Sequence, residues 1–363
     1  MVIRIPLATT ILLTLAVIAG VRFSLLLGLG LLIGFTLERY GFGFAGPWRR
    51  LIRDRDAQGM IAQLIAIGLT ALAIQPLIAY APGSLIGAIA PVSLTMIVAA
   101  AIFGLSMQMI LGCGSGTLVN AGSGNVVALA TLPLFCLGSF LGSLLIPFAV
   151  QSTPHVPLSL TKLLGVEQSV VVTLSGLLIV GLIARGFSEG PIWNRRFLTA
   201  AVFLATLATL HVLIAGQPWG VVYGLGLWAA KAAHGIGWDP STTQFWTHPV
   251  NASALKESIL TDTTSLTNIG LVTGAALAAW IDSVNRPLKQ PIAVWYYAVA
   301  AVFGLLLGIS SRLAFGCNVG GLFSGIASGS MHGWAWLIAG FIGSVAGVHL
   351  RDKLWLIASR EAK

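Results

Sequence analysis

Long apolar runs separated by short polar clusters organise this chain. Leu7 to Gly20, Met60 to Ala81, Leu85 to Leu111, Val126 to Val150, Val170 to Ile183, Phe197 to Ala215, Thr264 to Ile281, Ile292 to Phe315 and Trp334 to Leu350 are all predominantly apolar. A helix crosses a bilayer with about 20 apolar residues, and in lipid the backbone must satisfy its own hydrogen bonds. The pattern predicts an all-α polytopic membrane protein. It forms one integral domain, residues 1–363, with about nine membrane-spanning helices plus re-entrant or half helices. The first run continues into Val21 to Phe35 without a convincing cleavage site, which reads as an uncleaved anchor. The stretch Phe23 to Phe44, rich in glycine, is expected to pack closely or to break.

The polar clusters set orientation. Pro47 to Asp56 carries Arg49, Arg50, Arg53 and Arg55, and dense cations mark the cytoplasmic side. The loop from Gln151 to Ser169 holds only Lys162, which suits the outside, whereas Arg185, Arg195 and Arg196 suit the inside. Arg286 and Lys289 form another cationic loop. It falls outside if Trp219 to Ala233 and Thr264 to Ile281 both cross fully. A re-entrant or broken segment at 219–240 restores the parity, since irregular backbone is tolerated where protein surrounds it. Residues 47–58 and the C-terminus are then both cytoplasmic.

Composition agrees. Hydrophobic residues make up 56% of the chain and charged residues 9%, against about 25% charged in soluble proteins. The net charge of +9 lies between apolar runs, so it reports topology and not nucleic-acid binding. Three cysteines supply neither a disulfide framework nor zinc-ligand spacing. No metal or cofactor is expected.

Two glycine-rich loops carry the candidate chemistry. Leu111-Gly112-Cys113-Gly114-Ser115-Gly116-Thr117, followed by Gly122-Ser123-Gly124-Asn125, is echoed by Arg312-Leu313-Ala314-Phe315-Gly316-Cys317-Asn318 and Ala327-Ser328-Gly329-Ser330-Met331-His332. Further echoes pair Phe103-Gly104-Leu105 with Phe303-Gly304-Leu305, and Phe140-Leu141-Gly142-Ser143 with Phe341-Ile342-Gly343-Ser344. Leu27 to Leu31 pairs with Tyr223 to Leu227, and Gly41 to Phe44 with Gly235 to Trp238. With the topology above, they predict inverted halves at about 22–150 and 218–350. Inverted repeats with glycine-interrupted segments point to a transporter whose site lies near mid-membrane. Half-helix N-termini there favour an anion, and a neutral S–H can donate to it.

These motifs, with Ala-Ser-Gly-Ser-Met-His-Gly-Trp-Ala-Trp at 327–336, strongly resemble the YeeE/YedE family of bacterial inner-membrane sulfur transporters, over about Gly28 to Gly347. The resemblance implies an hourglass-like helical protein whose incomplete helices meet at a constriction. It implies uptake of a small sulfur compound, thiosulfate in the best-understood branch, along a line of thiols that includes Cys113 and Cys317. Gly43 stands where many relatives carry a cysteine, so one relay position is missing. A related branch is associated with selenium metabolism, and family members often act with a soluble sulfur carrier of the TusA type.

Each remaining candidate has a plain reading beside the functional one. Cys136, inside an apolar run, reads as a small core hydrophobe. His332 is a ligand, a proton carrier or a structural hydrogen-bonder. Arg312, five residues before Cys317 in an apolar stretch, is costly unless it faces protein or water. It either steers an anion or pins the loop through backbone carbonyls. Asp262 and Asn268 are expected to cap or brace a broken helix. The substrate path is thus assigned to Cys113, Cys317, Gly112, Gly114, Gly316, Asn318, Ser123, Ser328, Arg312 and His332. Transport of a sulfur-containing anion is the leading function. The alternatives are uptake of a selenium or other sulfur compound, a membrane enzyme performing thiol-based sulfur transfer, and a non-catalytic membrane subunit. No catalytic residue is assigned, because no His or carboxylate lies beside either loop cysteine in sequence.

Overall fold

A computed structural model describes residue 14 and residues 20–151, 157–282 and 294–361, with side chains described up to 354. Most of the anchor expected at 7–20, the cations Arg286, Lys289 and Lys363, and the side chain of Arg360 fall outside this description. All regular structure among the described residues is helical. The main helices are α1 (Val21–Tyr40), α2 (Ala45–Asp54), α3 (Gln58–Tyr80), α4 (Leu94–Met109), α5 (Gly114–Gly122), α6 (Val126–Gln151) and α7 (Leu160–Leu164). They continue with α8 (Val166–Gly186), α9 (Arg195–Ala215), α10 (Val222–Gly235), α11 (Pro249–Lys256), α12 (Thr263–Ile281), α13 (Val294–Leu313), α14 (Ser324–Ala327) and α15 (Met331–Glu361). Among the described residues, nine helical stretches are long and apolar enough to cross a membrane. This is a multi-pass membrane protein.

Ion pairs gather one face. Arg39 meets Asp282 at 3.1 Å, Arg53 meets Asp352 at 3.6 Å, and Arg55 pairs with Glu189. Residues 47–58 and the segment around 352 therefore lie on the same side. The opposite face is tied together by Arg22 donating to the carbonyls of Ile214 and Ala215, Ile86 N–H to Gly216, and Leu160 N–H to Gly329.

The parity problem at 219–240 is resolved as the charges require. After α9 the chain turns inward, where Asn268 Nδ2 donates to Val221 O at 2.9 Å and Ser324 Oγ to Trp219 O at 2.7 Å. Helix α10 then returns toward the face it came from, and Lys231 near its end binds the Leu255 and Glu257 carbonyls. It is too short to span. Asp262 caps α12 through Ser265 N–H at 2.7 Å, as expected, and Asn268 braces the re-entrant turn. The return expected to begin at Leu85 instead becomes helical at Leu94. Ser93 supplies the N-cap, after an irregular segment that runs along the face.

Glycines set the packing of the centre. Helix α6 runs beside α13, with Gly138 against Leu305 O and Gly142 against Ile309 O. Helix α15 runs beside α4 in the same manner, with Gly343 against Ala101 O and Gly347 against Leu105 O. A methyl group at any of these positions collides with backbone, so close approach is what glycine provides here. The two interfaces match contact for contact. In this register Gly104 corresponds to Gly308 and Gly138 to Gly343, one helical turn away from the echoes that paired Gly104 with Gly304 and Gly142 with Gly343. Small residues recurring every four positions make a one-turn shift look alike in sequence. The echo of Leu27 to Leu31 with Tyr223 to Leu227 joins unlike elements, a 20-residue helix and the 14-residue α10.

Candidate functional site

Both cysteines sit where a helix has just ended and a short one begins. Leu111 and Phe315, two residues before each thiol, adopt positive φ of 57° and 54°. A left-handed conformation at a non-glycine residue costs on the order of 1–3 kcal/mol and concentrates at functional sites. Gly112 N–H then reaches back to Met107 O at 3.1 Å, and Gly316 N–H to Ser311 O at 2.8 Å. The cysteines come next with near-identical backbone, φ −86° and ψ −170° at Cys113 and φ −82° and ψ −168° at Cys317. Their carbonyls accept Thr117 N–H at 2.8 Å and Gly321 N–H at 2.7 Å. Gly316 has φ +145° and sits against Gly321 N, so only glycine fits.

Beyond the thiols the loops diverge. Cys113 starts α5, and its sulfur accepts Gly116 N–H at 3.3 Å with Ser115 Oγ at 3.6 Å. Cys317 starts a π-helical turn, Asn318–Phe323, in which Leu322 N–H also reaches Cys317 O at 3.4 Å. That turn absorbs one extra residue. Cys113 matches Cys317, but Gly138 matches Gly343, so the offset grows by one across the second loop. Such turns recur at functional sites.

The two loops meet. A Cβ at Gly114 would lie 2.6 Å from Cys317 Sγ and 2.9 Å from its Cβ, so the second thiol rests on the first turn of α5. Both cysteines are buried. Cavities reach this junction from either side. One of about 170 Å³ on the ion-paired face is lined by Gly112, Cys113 and Gly116 with Gly43 and Arg50. On the other face a cavity of about 540 Å³ reaches Phe315, Gly316 and Gly320, with Arg312, Tyr223, Phe245 and His332 in its wall. It shares Tyr223, Phe315 and Gly320 with a wider cavity of about 830 Å³.

The remaining candidates divide. Asn318 is fully buried, and neither side-chain amide atom has a hydrogen-bond partner. His332 Nδ1 lies 2.7 Å from Ser330 Oγ, while Nε2 has no partner. Among the described residues Arg312 donates to no carbonyl, and its buried Nε has no partner. Its guanidinium lies over the Phe245 ring at 4.8 Å and the Tyr223 ring at 5.6 Å. Ser123 closes the far end of α5, its hydroxyl donating to Asn120 O at 3.0 Å, and it is absent from the linings of these three cavities. Ser328 accepts Ala88 N–H at 3.0 Å, which holds the irregular segment that walls the wider cavity. Cys136 is buried in α6 away from the cavity linings.

Several contributors escaped the sequence reading. Trp336 Nε1 donates to Gly316 O at 3.1 Å and packs on Trp48 and Phe103, buttressing the Cys317 loop. Gln63 donates to Gly43 O at 2.6 Å while accepting from Trp48 Nε1 at 3.0 Å. A Cβ at Gly43 meets nothing within 4 Å. Phe245 and Tyr223 come from the irregular 219–262 region, and only its broken parity hinted at a role.

Two short helical segments that start at buried thiols, with a cavity on either side, thus lie at the centre of a multi-pass membrane protein. The sulphur transport family profile matches residues 39–346, and the chain belongs to that family. It is 28% identical over 146 residues to the probable transporter YedE of Escherichia coli strain K12, covering 40% of this chain and 35% of YedE. The chain thus spans about a third of that relative's length. It is 24% identical over 253 residues to the thiosulfate transporter TsuA of Spirochaeta thermophila, covering 64% of this chain and 70% of TsuA.

Proposed function

We propose that this protein moves a small sulfur-containing anion, thiosulfate in the first instance, across the inner membrane through a constriction formed by Cys113 and Cys317. The contact of Cys317 Sγ with Gly114, between cavities that open to opposite faces, carries this reading. Short helices start at both thiols, so free N–H groups and partial positive charge favour an anion there. Neutral thiols add weak donors without repelling it.

The matched helix registers support two inverted halves, about 22–150 and 218–350. The basic residues gathered on the face of residues 47–58 support a cytoplasmic assignment of that face, and of the C-terminus with it. A TusA-like sulfur carrier would dock there. The open space at Gly43, where a relay thiol is missing, favours a second reading in which another sulfur or a selenium species is carried.

Uptake of radiolabelled thiosulfate into proteoliposomes tests the proposal. The wild-type protein is expected to transport, Cys113→Ala and Cys317→Ala to lose most of that rate, and Cys136→Ala to retain it. A donor worth on the order of 1 kcal/mol explains only a several-fold loss, so a larger one means that the thiol also governs passage. Wild-type rates in both loop variants would remove the constriction from the account.

A further inference from the structure

The cavity of about 540 Å³ beside the Cys317 loop contains a cation that has no counter-ion among the described residues. Arg312 ends α13 with its guanidinium against the rings of Phe245 and Tyr223, and its buried Nε has no hydrogen-bond partner. Among the described residues no carboxylate lies within ion-pair distance of it. Tyr223 Oη is directed elsewhere, donating to Asn251 Oδ1 at 2.9 Å. An unpaired arginine at membrane depth is expensive. Two aromatic faces recover part of that cost. They also fix the plane of the fork and leave its hydrogen-bonding edge unused.

The matching position in the first half is Gln108, which is neutral and donates to Ala45 O at 3.1 Å. The first half thus has no cation at this position, and Arg50, in the wall of the opposite cavity, is paired with Asp56 at 3.4 Å. The same wall holds His332, buried with Nε2 unpartnered. If the Ser330 hydroxyl donates to Nδ1, the neutral ring carries its proton on Nε2.

We propose that Arg312, held between Phe245 and Tyr223, is a receiving site for a tetrahedral sulfur oxyanion on the side opposite the ion-paired face. It deepens the transport reading and rests on it. A planar guanidinium matches two oxygens of an SO₃ group in a bidentate pair, which a point charge does not. An anion held by its oxygens keeps a terminal sulfur free to face Phe315, Gly316 and the thiol behind them. Arg312 therefore sets selectivity for the oxyanion end, and Cys317 acts on the sulfur end during passage.

Equilibrium binding of labelled thiosulfate to the purified full-length protein in lipid nanodiscs tests this apart from transport. Arg312→Gln is expected to weaken binding by about ten-fold to a hundredfold, the range for a hydrogen bond to a charged group. Arg312→Lys should restore only part of it, and Cys136→Ala should bind as wild type. On the wild-type protein, unlabelled sulfate should displace thiosulfate, whereas chloride at equal ionic strength should not. That arm stands even if the Gln variant does not fold. Wild-type affinity in Arg312→Gln, or equal displacement by chloride and sulfate, overturns the receiving site. If sulfate binds in an Arg312-dependent manner but the wild-type protein takes up no thiosulfate, the transport reading fails and the receiving site stands.

Discussion

The Cys113 loop and the Cys317 loop share a backbone and differ in what surrounds it. Both come after a left-handed residue, both close with a five-residue hydrogen bond, and both put the thiol at the start of a short helix. The first continues as α5 with Gly114 after the thiol, whereas the second continues as a π-helical turn with Asn318 in the same place. Gly114 leaves room for Cys317, and Asn318 fills its side with two unpartnered polar atoms. Arg312 and His332 stand on the second side where Gln108 and Val127 stand on the first. The lesson is a division of labour: the matched backbone brings the two loops together, and the unmatched side chains give the cavities on either side different linings.

The largest effect should come from erasing the gap between the loops. Gly114→Ala places a methyl 2.6 Å from Cys317 Sγ, and Gly114 has an ordinary φ, so the conflict is with the thiol and not with the backbone. Overpacking of this kind costs about 1–3 kcal/mol. Uptake in proteoliposomes should be lost more completely than in either Cys→Ala variant, while the protein still purifies as a monodisperse species.

A smaller effect should come from removing a support that only the second loop has. Trp336 donates to Gly316 O, whereas Thr131, at the matching position, bonds Val127 O within its own helix. Trp336→Phe leaves that carbonyl without its partner, a cost of about 1–3 kcal/mol. Thermal unfolding should show a lowered midpoint, with uptake reduced but present.

Gly43→Cys should perturb least. A Cβ there meets open space, and the residue lines the cavity that ends at Cys113. The unfolding midpoint should stay unchanged, and the new thiol should react with a membrane-impermeant maleimide applied from the ion-paired face. A lowered midpoint, or no labelling, contradicts the described inner cavity.

The sequence made the spans visible because crossing a bilayer demands length and apolarity, both of which are local. Charge counting located the re-entrant turn at 219–240, since parity is a global sum that one misplaced crossing breaks. The two cysteine loops were visible as paired motifs. The register of the halves was not, because glycines and other small residues spaced by one helical turn let Gly104 match Gly304 as readily as Gly308. The environment of Arg312 was hidden for another reason: Tyr223 reaches it from the start of the re-entrant α10, and Phe245 from the irregular segment that follows. Ser123 looked like part of the loop by proximity in sequence, but α5 carries it away from the thiol.

The central claim is that Cys113 and Cys317 form one constriction, and bridging them tests it most directly. In a Cys136→Ala background, micromolar cadmium added during thiosulfate uptake should bind both thiols at once and block transport, with reversal by a dithiol chelator. Cys113→Ala and Cys317→Ala, each measured against its own residual rate, should resist the same concentration. Equal block in all three proteins, or no block in the two-thiol protein, would contradict a shared site.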